Sequence, residues 1–326
     1  MTKGQLLIAV GTHALIQEAV EYQNLGLAVI DEQHRFGVDQ RLALRNKTPD
    51  GVVPHQLAMT ATPIPRTLAM SFYADLDVSN IDELPPGRKV IDTLVMPAES
   101  KRDEVIERVR AACQQGRQVY WVCPLIDESE VLSAQAATDT EQELSLALSE
   151  LSVGLVHGRL KPKEKELAMQ NFRDHKTDIL VATTVIEVGV DVPNASLMII
   201  ENAERMGLAQ LHQLRGRVGR GSEKSFCIML YRAPLSQHAK LRLQTLRDTN
   251  DGFVIAEKDL EMRGAGELLG TRQTGALSFK VADIIRDQHM LPAVESSAKN
   301  LVKAKTGSIE PLIERWVGSR EGYANA

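Results

Sequence analysis

The stretch from Gln210 to Gly221 reads Gln-Leu-His-Gln-Leu-Arg-Gly-Arg-Val-Gly-Arg-Gly and sets three arginines among three glycines. Arg215, Arg217 and Arg220 carry guanidinium groups, which are forked and permanently charged donors suited to phosphate oxygens. The interleaved glycines allow a backbone to approach a ligand closely. When such a run is considered alone, a basic surface loop is the alternative explanation. A phosphate site is therefore predicted only if matching residues occur elsewhere in the chain.

An acidic stretch, Asp31-Glu32-Gln33-His34, supplies that match directly after the apolar run Leu27–Ile30. Carboxylates at the end of a buried strand can hold Mg²⁺ and orient a water, while arginines neutralise a γ-phosphate. Taken alone, an Asp-Glu pair after a strand is usually a helix N-cap or a solvated turn. The acidic and arginine stretches together predict the two halves of a nucleoside triphosphate site.

Short apolar runs alternate with helical patterns along the chain, which is typical of a parallel α/β sheet. Strands this apolar are normally buried on both faces. The predicted strands are Leu6–Val10, Leu27–Asp31, Gln56–Thr60, Val90–Met96, Gln118–Cys123, Val153–Val156, Asp178–Ala182, Ser196–Ile200 and Ser225–Leu230. The predicted helices include Ser100–Gln115, Pro162–Arg173, Leu208–Arg215 and Leu235–Asp248, and the chain beyond Tyr231 is predicted to be mostly helical.

Composition narrows the classes of protein to which the chain can belong. Its 326 residues, 43% of them apolar and 25% charged, predict two or three globular domains. The net charge of −5 argues against a broadly basic nucleic-acid binder, so any contact with DNA is expected to be local. Cys113, Cys123 and Cys227 show no Cys-x-x-Cys spacing, which disfavours zinc and disulfides and indicates a reducing cytoplasm. No stretch reaches the roughly 18 apolar residues that span a bilayer, so no membrane partner is predicted.

Two longer stretches complete a recognisable set. Residues 60–67 read Thr-Ala-Thr-Pro-Ile-Pro-Arg-Thr, and residues 182–193 read Ala-Thr-Thr-Val-Ile-Glu-Val-Gly-Val-Asp-Val-Pro. With the acidic and arginine stretches, they resemble motifs III, V, II and VI of the superfamily-2 helicases. Gln33, residues 83–88 (Glu-Leu-Pro-Pro-Gly-Arg) and residues 250–255 (Asn-Asp-Gly-Phe-Val-Ile) favour one branch, the RecG family of double-stranded-DNA translocases. The resemblance implies RecA-like motor domains that use ATP and Mg²⁺.

The resemblance also implies roles for the residues of the nucleotide site. Asp31 would hold the metal, Glu32 would orient the attacking water, and Arg220 would be the arginine finger at the γ-phosphate. The full predicted set of catalytic and nucleotide-binding residues is Asp31, Glu32, His34, Gly189, Asp191, Gln213, Arg217 and Arg220.

A second set of residues is implied to contact DNA or to couple ATP hydrolysis to its movement. Thr12 and His13 lie in Gly11-Thr-His-Ala14, which resembles motif Ib, although a plain helix N-cap at Thr12 is the alternative. Arg263 and Gln273 lie in a stretch, residues 257–275, that resembles a translocation hairpin and loop. The full predicted set is Thr12, His13, Thr60, Thr62, His157, Thr183, Thr184, Arg263 and Gln273.

The domain prediction follows from the linker-like Pro85-Pro86-Gly87 and from one absence. No Gly-x-x-x-x-Gly-Lys-Ser/Thr occurs in the sequence, so we expect the chain to begin inside the first motor domain and to be inactive alone. A degenerate, ATP-free motor is the alternative. The predicted fold is α/β, with one partial RecA-like parallel sheet (residues 1–85), one complete sheet (86–232) and a helical hairpin and tail (233–326).

The function that the resemblance implies is ATP-dependent remodelling of replication forks and branched DNA in recombination and repair. The implied partners are forks and Holliday junctions, with single-stranded DNA-binding protein as a further candidate, and the implied state is a cytoplasmic monomer. Motors of this class grip phosphates and read no bases. Two alternatives stay open: the motor of a transcription-repair coupling factor, and a non-enzymatic DNA-binding fragment.

Overall fold

The computed structural model describes residues 7–17, 19–32, 44, 47, 53–61, 77–85, 87–124, 130–187, 192–221, 223–263, 286–304 and 309–316. The chain divides into two compact units, one formed by residues 1–63 with 274–326 and the other by residues 64–273. The domain boundaries near residues 85 and 232 stay predictions.

The regular elements alternate as the sequence pattern predicts. The strands are β1 (Leu27–Ile30), β2 (His55–Ala58), β3 (Ile91–Pro97), β4 (Gln118–Val122), β5 (Val153–Val156), β6 (Ile179–Ala182), β7 (Ala195–Ile200) and β8 (Ser225–Tyr231). The α-helices are α1 (Ala98–Gln114), α2 (Glu130–Ala147), α3 (Pro162–Arg173), α4 (Leu208–Arg215), α5 (Gln237–Asp248), α6 (Gly252–Arg263), α7 (Leu291–Ala304) and α8 (Ile309–Trp316). Short 3-10 helices lie at His13–Ile16, Thr184–Glu187, Ala203–Arg205 and Gln288–Met290.

The larger unit contains a six-stranded sheet in the order β3-β8-β7-β4-β6-β5, and every pair of neighbouring strands is parallel. All residues of β4, β6 and β7 are buried. This burial explains why these strands are apolar without alternation, because helices cover both faces of a parallel sheet. The prediction of a complete parallel α/β sheet is therefore confirmed for this unit.

Two hydrophobic cores lie on opposite faces of this sheet. In one core, α1 and α2 pack against one alternating set of buried strand residues, which includes Trp121 and Val181. The other core packs α4, α5 and α6, together with Phe172 of α3, against Tyr120 and Leu180. Because successive strand residues point to opposite faces, each central strand contributes to both cores. Helix α4, which precedes Arg217 and Arg220, is thus fixed to the sheet by one of the two cores.

Beyond β8, all regular elements among the described residues are helices, as predicted. Ser236 caps α5 by accepting a hydrogen bond from the Ala239 backbone N–H at 3.1 Å. The Asp251 carboxylate accepts from the Phe253 backbone N–H at 2.8 Å at the start of α6. Within the ranges given above, none of the helices has the length and apolar character that a membrane span requires.

The smaller unit departs from the sequence prediction in two respects. The predicted strand Leu6–Val10 is wrong for its described residues 7–10, which are not in a strand, and Leu7 is 97% exposed. A strand needs a neighbour for its backbone hydrogen bonds, and the only sheet described in this unit is the parallel pair β1-β2. Burial on both faces is also wrong here, because Ile30 is the only buried residue of β1 and all of β2 is exposed.

Limited proteolysis of the chain should leave a resistant core that begins near residues 85–95 and retains the six-stranded sheet. The described part of residues 1–85 exposes many large apolar side chains, including Leu27, Val29 and Leu57. Few buried apolar contacts mean a low free energy of local opening, which admits a protease. Mass spectrometry of the fragments provides the measurement. Equal resistance of residues 1–85 and of the sheet would contradict the expectation.

Candidate functional site

The carboxyl edge of β1 and β2 carries the acidic stretch and part of motif III. Ile30 and Ala58 are register partners, and the Met59 backbone N–H donates to the Ile30 carbonyl at 2.8 Å. Asp31 and Glu32 follow the first strand and Thr60 follows the second, so the parallel pair brings all three residues to one edge. Ligand-binding residues commonly occupy this edge of parallel sheets.

Backbone geometry at Glu32 is unusual for a residue with a side chain. Its φ is 52°, in the left-handed region, and its backbone N–H donates to Asp31 Oδ1 at 2.9 Å. Such a conformation typically costs of order 1–3 kcal/mol and is concentrated at active sites. The strained turn holds the two carboxylate-bearing residues in one compact arrangement.

The donor chemistry of this edge suits Mg²⁺. Within the described residues, no group of three or more His, Cys, Asp or Glu side chains could hold a metal ion. Mg²⁺ usually takes one or two carboxylates and completes its shell with waters and substrate phosphates, so it does not need such a group. The exposed carboxylate of Asp31 fits that mode of binding.

Thr12 and His13 are both exposed, but the helix that follows Thr12 is a 3-10 turn of four residues. Thr12 occupies the N-cap position of this helix, as the alternative has it, but its side chain makes no capping hydrogen bond. Five of the remaining predicted positions lie outside what the structure describes: His34, Thr62, Gly189, Asp191 and Gln273. Arg263 is the last residue of α6, and the position of its side chain likewise lies outside the described structure.

Helix α4 and the loop that follows it, residues 216–221, form the arginine stretch; we call this loop the arginine loop. Leu208, Leu211 and Leu214 are fully buried, which fixes α4 against the sheet. Gln213 and Arg217 are half-buried, and Arg220 is exposed. Helix α4 also contacts the 3-10 helix Thr184–Glu187 of motif V. Gln213 therefore lies on a helix that contacts motif V, and Arg217 and Arg220 lie on the loop directly after that helix.

Arg88 is a contact of the arginine loop that the sequence analysis missed. Its Nη2 atom donates to the Gly216 carbonyl at 2.9 Å, at the C-terminal end of α4. A guanidinium there satisfies a carbonyl that has no partner within the helix. The available signal was its place in the stretch of residues 83–88, which was used only to distinguish families.

Glycines of the arginine loop serve its packing against the protein itself. Gly219 has a φ of +83°, and a Cβ added there would lie 2.9 Å from Ile91 Cγ1. A Cβ at Gly221 would lie 2.3 Å from the Pro193 carbonyl oxygen. At Gly219 and Gly221, the missing side chain therefore allows close approach to β3 and to Pro193, the residue that ends motif V.

Replacing Gly221 with alanine should destabilise the larger unit by about 1–3 kcal/mol, the usual cost of overpacking. The new methyl group meets backbone, which cannot rotate away. Gly158→Ala is the matched control, since nothing lies within 4 Å of a Cβ at that position. Chemical unfolding of both variants and the parent chain measures the difference. Equal stability of the two variants would show that the loop packs loosely.

Arg215 does not face solvent, because it is only 1% exposed. The sequence analysis assigned no role to this residue, and its burial shows that the charge of Arg215 is used within the protein. Its guanidinium is turned towards α5 and contacts the Leu246 carbonyl at 2.7 Å. Arg217 and Arg220 stay as the arginines predicted to meet a nucleotide.

His212 lies beside Arg215 in α4 and is largely buried. Burial, followed by the charges of Arg215 and Arg88, lowers the pKa of His212 to about 4. The unfolded chain binds a proton at this residue near pH 6.5, whereas the folded chain does so only near pH 4. The free energy of unfolding is therefore unaffected by His212 above pH 6.5, and it decreases as the pH falls from 6.5 towards 4.

Lowering the pH from 7 to 4.5 should reduce the free energy of unfolding by up to about 3 kcal/mol through His212. His212→Gln should flatten this dependence, because glutamine does not titrate. The measurement is urea unfolding across the pH range, with the exposed His238→Gln on α5 as the control. An unchanged pH dependence in His212→Gln would contradict the assignment.

The carboxyl edge of β5 and β6 brings together the predicted DNA residues of the larger unit. Val156 and Ala182 are register partners, and the Thr183 backbone N–H donates to the Val156 carbonyl at 3.1 Å. His157 and Thr183 are therefore neighbours at this edge, with Thr184 opening the 3-10 helix. Thr183 is buried, and the Nδ1 atom of His157 is buried without a hydrogen-bond partner in the described structure.

This edge is positively charged. Burial, then the charges of Arg159 and Lys165, lowers the pKa of His157. Lys165 Nζ also donates to the Gly158 carbonyl at 2.5 Å. Lys161, Lys163 and Lys165 were missed as candidates, although their alternation in Lys-Pro-Lys-Glu-Lys was visible. Fixed cations and backbone donors at one edge are suited to binding phosphates of a nucleic-acid backbone.

Two family models match the chain. One, described as "Helicase conserved C-terminal domain", matches residues 100–222, which include strands β4 to β7 of the six-stranded sheet and the arginine loop. The other, described as "ATP-dependent DNA helicase RecG, domain 3, C-terminal", matches residues 249–316. The first match confirms the predicted RecA-like fold of the larger unit. The second shows that the helical residues after the sheet match a different family model.

Curated relatives and a solved structure agree with the models. ATP-dependent DNA helicase RecG of Escherichia coli O157:H7 is 62% identical over 328 residues, which cover 100% of this chain and 47% of the relative. The Haemophilus influenzae RecG is 60% identical over 99% of this chain and 47% of its own length. A structure of RecG bound to a three-way DNA junction is 48% identical, with a TM-score of 0.64 over 86% of this chain and 35% of that chain. The chain thus spans about half the length of the curated relatives it matches.

Proposed function

Because the chain belongs to the RecG family of ATP-dependent DNA helicases, we propose that it forms part of the motor of an ATP-driven double-stranded-DNA translocase. Its substrates would be replication forks and other branched DNA. One observation supports this most strongly: α4, which carries Gln213, packs on the 3-10 helix that begins at Thr184. An element with a residue suited to a nucleotide is therefore in contact with an element that has a residue suited to DNA phosphates.

The proposed nucleotide residues would have different roles in phosphoryl transfer. Arg220, exposed on the arginine loop, is accessible to a γ-phosphate, and Arg217 and Gln213 would support it. Such an arginine neutralises charge that develops as the phosphoryl group leaves. Asp31 would hold Mg²⁺, which supplies charge neutralisation when bound, and Glu32 would orient the attacking water. His34, Gly189 and Asp191 complete the proposed nucleotide set.

The DNA residues would hold the backbone of the duplex. His157, Thr183 and Thr184 lie at the positive edge of β5 and β6, where Arg159 and Lys165 add charge. Phosphate contacts fix position but carry no sequence information. The proposed motor therefore moves along DNA of any sequence, and Thr12, His13, Thr60 and Thr62 would add contacts of the same kind. We further propose that it acts in the cytoplasm as a monomer, with single-stranded DNA-binding protein as a candidate partner.

Coupling of ATP hydrolysis to DNA movement would involve the helices after β8. Helix α4 contacts both α5 and α6, and α5 contacts α6. Arg263, at the end of α6, and Gln273 are the proposed coupling residues. A rigid helical pair beside the arginine loop is suited to moving with it, because packed helices shift as units.

The test of this function is ATP turnover by the full-length natural protein in the presence of DNA. We expect three-way junctions of two unrelated sequences to stimulate turnover equally and more strongly than a linear duplex of the same length. No stimulation by DNA, or a strong dependence on base sequence, would contradict the proposal. The linear duplex controls for charge, since its phosphate density is the same.

A further inference from the structure

We infer that Arg215 is a positioning residue that joins the arginine loop to the junction between α5 and α6. The inference rests on the proposed function, since the loop is assigned to the nucleotide. Arg215 is the last residue of α4 and is 1% exposed. It precedes the arginine loop directly, so its position determines where the loop begins.

The guanidinium of Arg215 closes the C-terminal end of α5. Its Nη1 atom donates to the Leu246 carbonyl at 2.7 Å and to the Thr249 carbonyl at 2.9 Å, with the Thr93 hydroxyl of β3 at 3.3 Å. Leu246 lies in the last turn of α5, and Thr249 is its C-cap. The last carbonyls of a helix lack partners within the helix and carry partial negative charge, so a cation stabilises them. Arg215 thus binds α4 to the turn that connects α5 with α6.

A second contact fixes the plane of the guanidinium. Its Nη2 atom lies 3.0 Å from Nδ1 of His212, one turn earlier in α4. Because its pKa is lowered to about 4, His212 is neutral at physiological pH, and Nδ1 accepts the hydrogen bond from the arginine. The charges and titratable groups that influence His212 are Arg215, Arg88 and Asp251. The side chain of Arg215 therefore has one preferred direction, towards α5.

Arg88 also binds the end of α4, because its Nη2 atom donates to the Gly216 carbonyl at 2.9 Å. The end of α4 is thus hydrogen-bonded to Arg88 and, through Arg215, to the junction of α5 and α6. A displacement of that junction would move the start of the arginine loop, and a displacement of the loop on nucleotide binding would move the junction. Hydrogen bonds of a buried cation transmit such shifts because breaking them leaves charge unpaired.

The variants Arg215→Lys and Arg215→Met test this role in the full-length protein. Lysine keeps the charge but donates from one point, whereas methionine keeps much of the apolar volume and removes the charge. We expect both variants to keep the KM for ATP within about threefold, because Arg215 does not touch the nucleotide. We expect DNA unwound per ATP hydrolysed to fall by about tenfold in Arg215→Met and by less in Arg215→Lys.

Arg102→Lys is the matched control. Arg102 is a half-buried arginine of α1, on the opposite face of the sheet, and its Nε atom donates to Glu201 at 2.9 Å. Its replacement should alter stability without altering the unwinding obtained per ATP. Unchanged unwinding per ATP in both Arg215 variants would overturn the inference, as would an equal loss in Arg102→Lys. Absence of DNA-stimulated turnover in the parent protein would instead overturn the proposed function.

A second measurement needs no variant and covers the case in which the Arg215 substitutions fail to fold. Hydrogen exchange of the full-length protein is followed before and after addition of a non-hydrolysable ATP analogue. We expect exchange to change in residues 208–221 and in residues 246–255 together, because Arg215 bonds the two segments. A change confined to residues 208–221 would overturn the inference.

Discussion

Replacing Arg220 with alanine in the full-length protein should lower the rate of ATP turnover by about 10³-fold or more. Arg220 is exposed on the arginine loop, whereas Arg215 is buried. Its proposed target is charge that exists only during phosphoryl transfer, so its loss reduces kcat more than binding. Affinity for branched DNA should therefore change by less than about threefold. Steady-state ATPase and equilibrium DNA binding are measured on the same preparation.

Arg108→Ala provides the control for the loss of one exposed arginine. Arg108 lies on α1, and its Nη2 atom pairs with Glu104 at 2.5 Å on the surface. This variant should retain turnover, since a single surface pair contributes little. Near-normal turnover in Arg220→Ala, or an equal loss in the two variants, would remove Arg220 from the proposed catalytic set.

Arg263→Ala and Gln273→Ala should have a different effect, namely loss of fork unwinding with DNA-stimulated ATPase retained. If α6 and the chain after it transmit movement to the duplex, their failure leaves ATP hydrolysis intact but uncoupled. The contacts of α4 with α5 and α6 provide the physical route. ATPase rate and fork unwinding are measured together for each variant.

Lys258→Ala is a suitable control for this pair, because Lys258 lies on the same helix as Arg263 and pairs with Glu261 at 2.7 Å on its surface. It should preserve both activities. If ATPase and unwinding fall in parallel in Arg263→Ala and Gln273→Ala, these residues serve catalysis and the coupling role is wrong.

The sequence was most informative where local signals coincide with burial. The predicted bounds of α3 and α4 match the structure, because Pro162 begins the first helix and glycines flank the second. The central strands β4, β6 and β7 were predicted to within about one residue, because long apolar runs in a parallel sheet are difficult to place elsewhere.

Non-local contacts account for what the sequence did not predict. The apolar residues 7–10 satisfy a strand pattern, but a strand also needs a neighbour, which the pattern cannot supply. Arg215 shows the same limit, because its partners Leu246 and Thr249 lie more than thirty residues away. The sequence displays the charge of an arginine, whereas only the fold determines whether that charge meets a phosphate or a helix end.

The most direct test of a translocase is ATP-dependent separation of a three-way DNA junction by the full-length protein and by its Glu32→Gln variant. Glutamine keeps the size of the side chain but cannot orient or deprotonate a water as a carboxylate does. We predict that the parent protein unwinds the junction only with ATP and Mg²⁺, and that Glu32→Gln binds it with similar affinity without unwinding it. Unwinding by Glu32→Gln at the parent rate, or ATP hydrolysis by the parent protein without any unwinding, would contradict the account.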